Sequence, residues 1–445
     1  MSSSDDQALT RRPIKRGRAW LTCLVFIALF LCWPKYLSVD LGPARLSPPN
    51  LLVLTLGFAL VAIWAVRGRQ GEKVSVGGRA ILAGFVSIWL LRVISDLYAP
   101  DPTYSLFLTA RDFIWTAFPF LIVFRLAGGR EGIVGVTKVL VCSCLFLAAV
   151  GIAERLSGVS AASWIFAHIP ISVPDDYANA LLRDKSRDGS FRIQSVMVHP
   201  IVAGEVFSAL VPVCFAAAVW FRSAWRMISV GALLMAACAL VFTGTRTSLI
   251  AAAAGTGFYV FASVTRSANI WVRVFGTMII AAGLLVVAPV AVSTVNDLRA
   301  GQTAAEIESS GWRDRMWALG APAISQQPYF GHGDGQALQI AGIRAGSSFT
   351  VDDFYLSQLI NFGYVNFVVF LIFIALVIWF GVFGGSRSFE GPIYAALAGG
   401  IIAILVGQKA TSIFEGMGVL YLFAGIVSST TVLPLFLARR PERAT

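Results

Sequence analysis

Apolar runs of about 17–25 residues follow one another along the whole chain, separated by polar breaks that are mostly short. A run of that length crosses a hydrocarbon core of about 30 Å as one helix, with every backbone N–H and C=O satisfied inside the segment. About twelve such spans can be drawn, at 19–34, 50–66, 80–97, 112–124, 132–153, 199–221, 227–243, 247–263, 274–293, 354–383, 392–408 and 417–437. The fourth is short and the tenth long for a single crossing. Of the 445 residues, 57% are hydrophobic and only 13% charged, and the mean hydropathy is +0.75, values outside the range of soluble domains. The expectation is an all-α polytopic integral membrane protein. It comprises one transmembrane domain over 19–437, between cytoplasmic tails at 1–18 and 438–445.

A net charge of +11 raises the question of nucleic acid, but the placement of the charges points to membrane orientation instead. The N-terminal tail carries Arg11, Arg12, Lys15, Arg16 and Arg18, and every second connection after it is basic: Arg67, Arg69, Lys73 and Arg79; Arg125 and Arg130; Arg222 and Arg226; Arg266 and Arg273; Arg387; and Arg439, Arg440 and Arg443. Most of the acids fall in the alternate connections, as the positive-inside bias requires when both termini are cytoplasmic. All six cysteines lie within drawn spans, so packing explains them better than disulfides or a metal cluster.

The alternate, outward face has two long segments, 154–198 and 294–353, and connections of more than about 15 residues are commonly functional. In the second, "IESSGWRDRMWALGAPAISQQPYFG" has a helical pattern. Ser309 or Ser310 would cap it, Trp312, Met316, Leu319 and Ala323 would form one stripe, and Pro328 and Gly331 would end it. Such a helix lies on the membrane surface or over a cavity. "GHGDG" at 331–335 is a turn or a backbone nest for phosphate, but lacks the GK[ST] of a P-loop. His168, His199 and His332 show no metal-binding spacing.

Four basic residues run against the positive-inside trend on the outward face. Arg246, in "VFTGTRTSLIAAAAG", sits at the tip of a hairpin turned by Gly244, either snorkelling at a helix end or facing a cavity where it meets an anion. A guanidinium suits phosphate because its planar fork donates two bonds at once and keeps its charge. Arg313 and Arg315 lie on the surface helix, with Arg313 and Trp317 four apart on one face. Arg192 precedes the sixth span, which His199 and Pro200 open and in whose second turn Glu205 falls. Asp352 and Asp353 stand where the tenth span begins. One acid there would cap the helix, and Thr350 with Asp353 has the form of a capping box; two suggest a site needing both an anion clamp and a base.

The order of "FRIQSVMVHPIVAG", "TGTRTSL", "RDRMWALGAPAISQQPYFGHGDG" and "DDFYLSQLINFG" resembles the O-antigen ligase and Wzy polymerase superfamily of bacterial glycosyltransferases. Arg246 after a small-residue turn, the Arg313-x-x-x-Trp317 helix, Pro328, Gly331 and Gly333, and the aromatic, Leu and downstream glycine of "DDFYLSQLINFG" carry the likeness. The chain departs from the ligases at one place, Asp352-Asp353, where they have His-Asn; this turns the expectation toward a polymerase. The resemblance implies a GT-C-like architecture in the bacterial inner membrane and a periplasmic, metal-independent, inverting transfer that needs no cofactor. The donor is an oligosaccharide on undecaprenyl pyrophosphate, and the acceptor is a growing polysaccharide or other glycan. A chain-length regulator is a further implied partner, and nucleic acid is not. It assigns catalysis to Asp352, Asp353, Arg246 and Arg313, and substrate binding to Arg192, His199, Glu205, Arg315 and Tyr355. A ligase using lipid A-core is the alternative, and a polysaccharide transporter or flippase the rival from another class.

Overall fold

The computed structural model describes residues 19–34, 36, 37, 39–41, 44–67, 75–127, 130–168, 182, 186, 189–266, 304–345, 348–384, 390–410 and 414–429. In chain order its helices are α1 (Ala19–Cys32), α2 (Pro48–Arg67), α3 (Val76–Leu97), α4 (Pro102–Leu126), α5 (Glu131–Ser157), α6 (Ala161–His168), α7 (Pro200–Trp220), α8 (Ala224–Phe242), α9 (Arg246–Thr265), α10 (Ala304–Gln326), α11 (Gln336–Ala341), α12 (Phe354–Phe383), α13 (Gly391–Gly407) and α14 (Phe414–Ser428). Two three-residue hairpins accompany them, Val39–Leu41 with Ala44–Leu46 and Ile343–Ala345 with Ser348–Thr350. Among the described residues, α3, α4, α5, α7, α8, α9 and α12 are long and apolar enough to cross a membrane, and α1, α2, α13 and α14 are shorter apolar helices. The run 274–293, drawn as the ninth span, lies outside the described residues.

The short fourth span is a correction. Its helix begins ten residues before 112, at Pro102, where Asp101 accepts the Tyr104 N–H at 3.1 Å. Thr109 and Asp112 interrupt the hydropathy there, yet both are buried. Within this helix Phe113–Ala117 widen into a π-turn just before Pro119, whose missing N–H cannot continue the ordinary ladder.

Small residues set the centre of the bundle. Helix α13 has no charged residue and is rich in Ala and Gly, and most of its residues are buried. At Gly255 of α9 and Gly399 of α13 the backbones touch: a Cβ on either would fall about 2.5 Å from the other's carbonyl oxygen. Close approach of this kind is how membrane helices gain packing energy without a hydrophobic drive between them.

The long tenth span is broken within α12, at Gly363, whose φ of 67° and ψ of −177° are non-helical. A break at membrane depth frees backbone groups that lipid cannot satisfy. Here the segment after α10 supplies the partners. His332 N–H and Gly333 N–H donate to the Ile360 and Asn361 carbonyls at 2.9 and 2.8 Å, while Tyr364 N–H and Val365 N–H donate to those of Pro328 and Tyr329 at 2.7 and 3.2 Å. Gly331, Gly333 and Gly335 all have positive φ, so "GHGDG" is a turn shaped to this job.

Asp334 pins the same turn to α3 and α4. Its N–H donates to Asp96 Oδ1 at 2.8 Å, its carbonyl accepts Ser105 Oγ at 2.9 Å, and its carboxylate accepts Asn361 Nδ2 at 3.3 Å. Burial pushes the Asp334 carboxyl above the usual range, and the Arg92 guanidinium counters this only in part. Arg92, itself buried, donates to Gln358 Oε1 at 3.0 Å and lies between the Trp89 and Phe362 rings.

Helix α10 starts at Ala304, earlier than a cap at Ser309 or Ser310 would place it. Met316, Gly320 and Ile324 pack with Leu356 and Ile360 of α12 and Ala323 is buried, whereas Leu319 is 48% exposed. The expected stripe holds at Met316 and Ala323 and fails at Leu319, where Gly320 takes the close contact.

Candidate functional site

Asp353 is the N-cap of α12. Its Oδ1 accepts the Tyr355 and Leu356 N–H groups at 3.0 and 3.2 Å. This replaces the capping box centred on Thr350, which lies in the preceding hairpin. The other oxygen, Oδ2, accepts the Trp317 indole N–H at 2.8 Å and the Lys409 ammonium at 2.5 Å. Lys409 also lies over the Trp317 ring, 4.9 Å from its centre. With 1% exposure and both oxygens engaged, Asp353 is a fixed point rather than an open acceptor. Asp352, one residue earlier, is half-buried, and its N–H donates to the Met316 sulfur at 3.4 Å.

Replacing Lys409 by methionine leaves the buried Asp353 carboxylate without its cation. The expected cost is about 1–2 kcal/mol, set between buried and surface ion pairs because the Lys409 side chain is 58% exposed. A fall in the thermal midpoint of the purified protein checks this, and an unchanged midpoint would show the pair to be incidental.

The residue before Lys409 reaches the other way. Gln408 Nε2 lies 3.3 and 3.4 Å from the two oxygens of Glu205, which is buried in the second turn of α7. Gly407 and Gly416 make room, since a Cβ on Gly416 would fall 2.4 Å from Glu205 Oε2. Tyr355, beside Asp353, donates its hydroxyl to the Leu405 carbonyl at 2.6 Å. The end of α13 thereby ties Glu205, Asp353 and Tyr355 together.

Gly204, next to Glu205, packs on the Arg246 hairpin: a Cβ there would lie 2.3 Å from Ser248 Oγ. Gly244 makes the turn with φ 61°. Arg192 braces it, its Nε donating to the Thr243 carbonyl at 2.7 Å and its terminal nitrogen to Thr245 Oγ1 at 2.9 Å. Thr245 makes no side-chain cap on α9, whose first residue is the exposed Arg246. Two guanidinium groups therefore adjoin the positive end of a twenty-residue helix dipole, an arrangement that favours an anion.

The segment carrying Arg192 is itself held by Glu154, which is buried and accepts the Ala161, Gln194 and Ser195 N–H groups at 2.6, 2.9 and 2.7 Å. Arg155 adds a bond to the Phe191 carbonyl at 2.7 Å. His199 caps α7, with Nδ1 accepting the Ile201 N–H at 3.2 Å.

Of the residues expected at the site, Arg192, Arg246, Glu205, Asp352, Asp353 and Tyr355 gather at one end of the bundle through these contacts. Arg313 stands one turn before Trp317 on α10, with its side chain outside the described residues, and Arg315 is exposed. Lys409 and Glu154 were missed. Lys409 had a usable signal, being a lone cation in "GQKATS", a short connection between drawn spans that the charge pattern assigns to the same face as Arg246. Glu154, near the end of α5, carries no such signal in the sequence. Among the described residues no group of three or more His, Cys, Asp or Glu is placed to hold a metal ion.

No curated protein matches the chain. Residues 230–371 match the family described as O-antigen ligase. That stretch is about a third of the chain and contains the Arg246 hairpin, α10 with Arg313 and Trp317, the glycine turn and the Asp352–Asp353 doorstep; Arg192, Glu205 and Lys409 fall outside it. Over those elements the chain is similar to the O-antigen ligase family.

Proposed function

We propose that this protein is a Wzy-type polymerase, joining oligosaccharide repeat units carried on undecaprenyl pyrophosphate at the periplasmic face of a twelve-span, GT-C-like bundle in the bacterial inner membrane. The observation that carries the reading is a pair of unlike acids tied, through Lys409, Gln408, Glu205 and Gly204, to an anion-favouring helix end. Asp353 is committed to Trp317, Lys409 and the helix cap, and thereby sets the position of Asp352. Asp352 takes the proton of an acceptor hydroxyl as its oxygen bonds the anomeric carbon from the face opposite the pyrophosphate. The anomeric C–O bond breaks, and the pyrophosphate leaves with the electron pair. Its growing charge is met by Arg246, with Arg313 from α10 and the α9 N-terminus, interactions stronger in the transition state than in the ground state. Arg192 holds the hairpin in register for this, and Glu205, His199 and Tyr355 hold the frame.

One observation favours the second reading, transfer of finished glycan to lipid A-core or another acceptor: the matched family is described by its ligases. The size distribution of undecaprenyl-linked glycans in the native host separates the two. For a polymerase, Asp352→Asn accumulates single repeat units and the polymer ladder disappears, while the protein stays folded because Asp353 still caps α12. Long glycans stranded on the lipid would make it a ligase, and an unchanged profile would remove Asp352 from the chemistry.

A further inference from the structure

At the end of the bundle away from the Arg246 hairpin, α1, α5 and α8 leave a groove of about 850 Å³ between them. Helix α8 gives its direction, running from Trp225 in the groove to Phe242 beside the hairpin. The walls are apolar, formed by residues such as Leu24 and Ala28 on α1 and Val134 and Val139 on α5. Lys138 also lines it, two turns into α5, with its ammonium 4.6 Å from the centre of the Trp225 ring. Among the described residues Lys138 has this ring contact and no hydrogen bond or ion pair.

A lysine inside a membrane span extends its stem along apolar surface and carries its head to the interface. Trp20 and Trp225, both in the lining and both at their helix starts, mark that level, since tryptophan concentrates at the membrane–water boundary. The anion available at that depth is the phosphodiester of a bilayer lipid, and basic pockets between membrane helices are known to take lipid headgroups. We propose that the groove is a phospholipid site, with one acyl chain along α1 and α5 and the lipid phosphate on Lys138. Glu131, seven residues earlier on α5, lines the same groove, so the rim carries both signs. The phosphodiester common to bilayer phospholipids, rather than a net negative headgroup, is what the site selects. The tight seat of Trp20 on Gly135, where a Cβ would fall 2.5 Å from the indole, fixes α1 as the outer wall.

Native mass spectrometry of the purified, delipidated full-length protein tests this with phosphatidylglycerol, phosphatidylethanolamine, diacylglycerol of the same chains, undecaprenyl phosphate and inorganic phosphate as separate probes. Both phospholipids should be retained at one per chain, and diacylglycerol and inorganic phosphate should not. Lys138→Met should reduce retention at least fivefold, Lys138→Arg should preserve it, and Ala28→Phe should displace the lipid by filling the groove. Retention of diacylglycerol equal to phospholipid would make this an apolar cavity only. Preference for undecaprenyl phosphate would assign it to a prenyl chain, and Lys138→Met binding as well as the parent would remove the lysine; each result overturns the proposal.

Discussion

Arg246→Lys lowers the rate of glycan transfer by about 100-fold or more, with the protein still folded. Arg246 is the first residue of α9 and exposed, so the core does not depend on its side chain. Lysine keeps the charge and loses the planar fork that donates two parallel bonds to a phosphate. The loss should fall on turnover, because the pyrophosphate gains charge only as the glycosidic bond breaks. Turnover of lipid-linked repeat units by purified protein, set beside its thermal midpoint, measures the two effects separately. Full activity in the lysine variant would mean that charge alone suffices there, and the clamp at Arg246 would have to be given up.

Gly363→Ala should destabilise the protein by at least about 3 kcal/mol, seen as lost yield of monodisperse protein or a sharply lowered thermal midpoint. The backbone at Gly363, with positive φ and extended ψ, is one that residues with a Cβ rarely adopt. The added carbon would also fall 2.4 Å from the Tyr329 carbonyl oxygen, in the strip of backbone that satisfies the broken helix. Relief would require moving that strip and releasing bonds that lipid cannot replace. Gly231→Ala is the control: it lies within α8 with open space around a new Cβ, and should be neutral or slightly stabilising. Equal behaviour of the two variants would refute the account of the break.

The apolar helices were legible because hydropathy over about twenty residues is a strong, local signal, and seven of the drawn spans coincide with described helices long enough to cross a membrane. Where they were misjudged, a polar group had been buried by distant chain. The start of α4 looked like a loop because Thr109 and Asp112 interrupt its apolar pattern, and both are buried beneath the Asp334 turn. Arg246 stands out in the sequence because it breaks the charge asymmetry, and so does the double acid, but not which of the two is held in place. Which acid is held depends on Trp317 and Lys409, 36 and 56 residues away, and no local pattern encodes those contacts. The Gly363 break was hidden for the same reason, since its hydrogen-bond partners at 328–333 come from another segment.

The bond from Lys409 to Asp353 also has a consequence for how the protein is made. Asp353 leaves the ribosome 56 residues before the lysine that completes its setting, and Glu205 waits 203 residues for Gln408. Arginine hairpin, surface helix and acids can all be threaded into the bilayer while the doorstep remains unassembled. In a nascent chain Asp353 therefore has no ammonium partner until the connection after α13 has been delivered, so the setting of the doorstep is among the last parts of the fold to be completed.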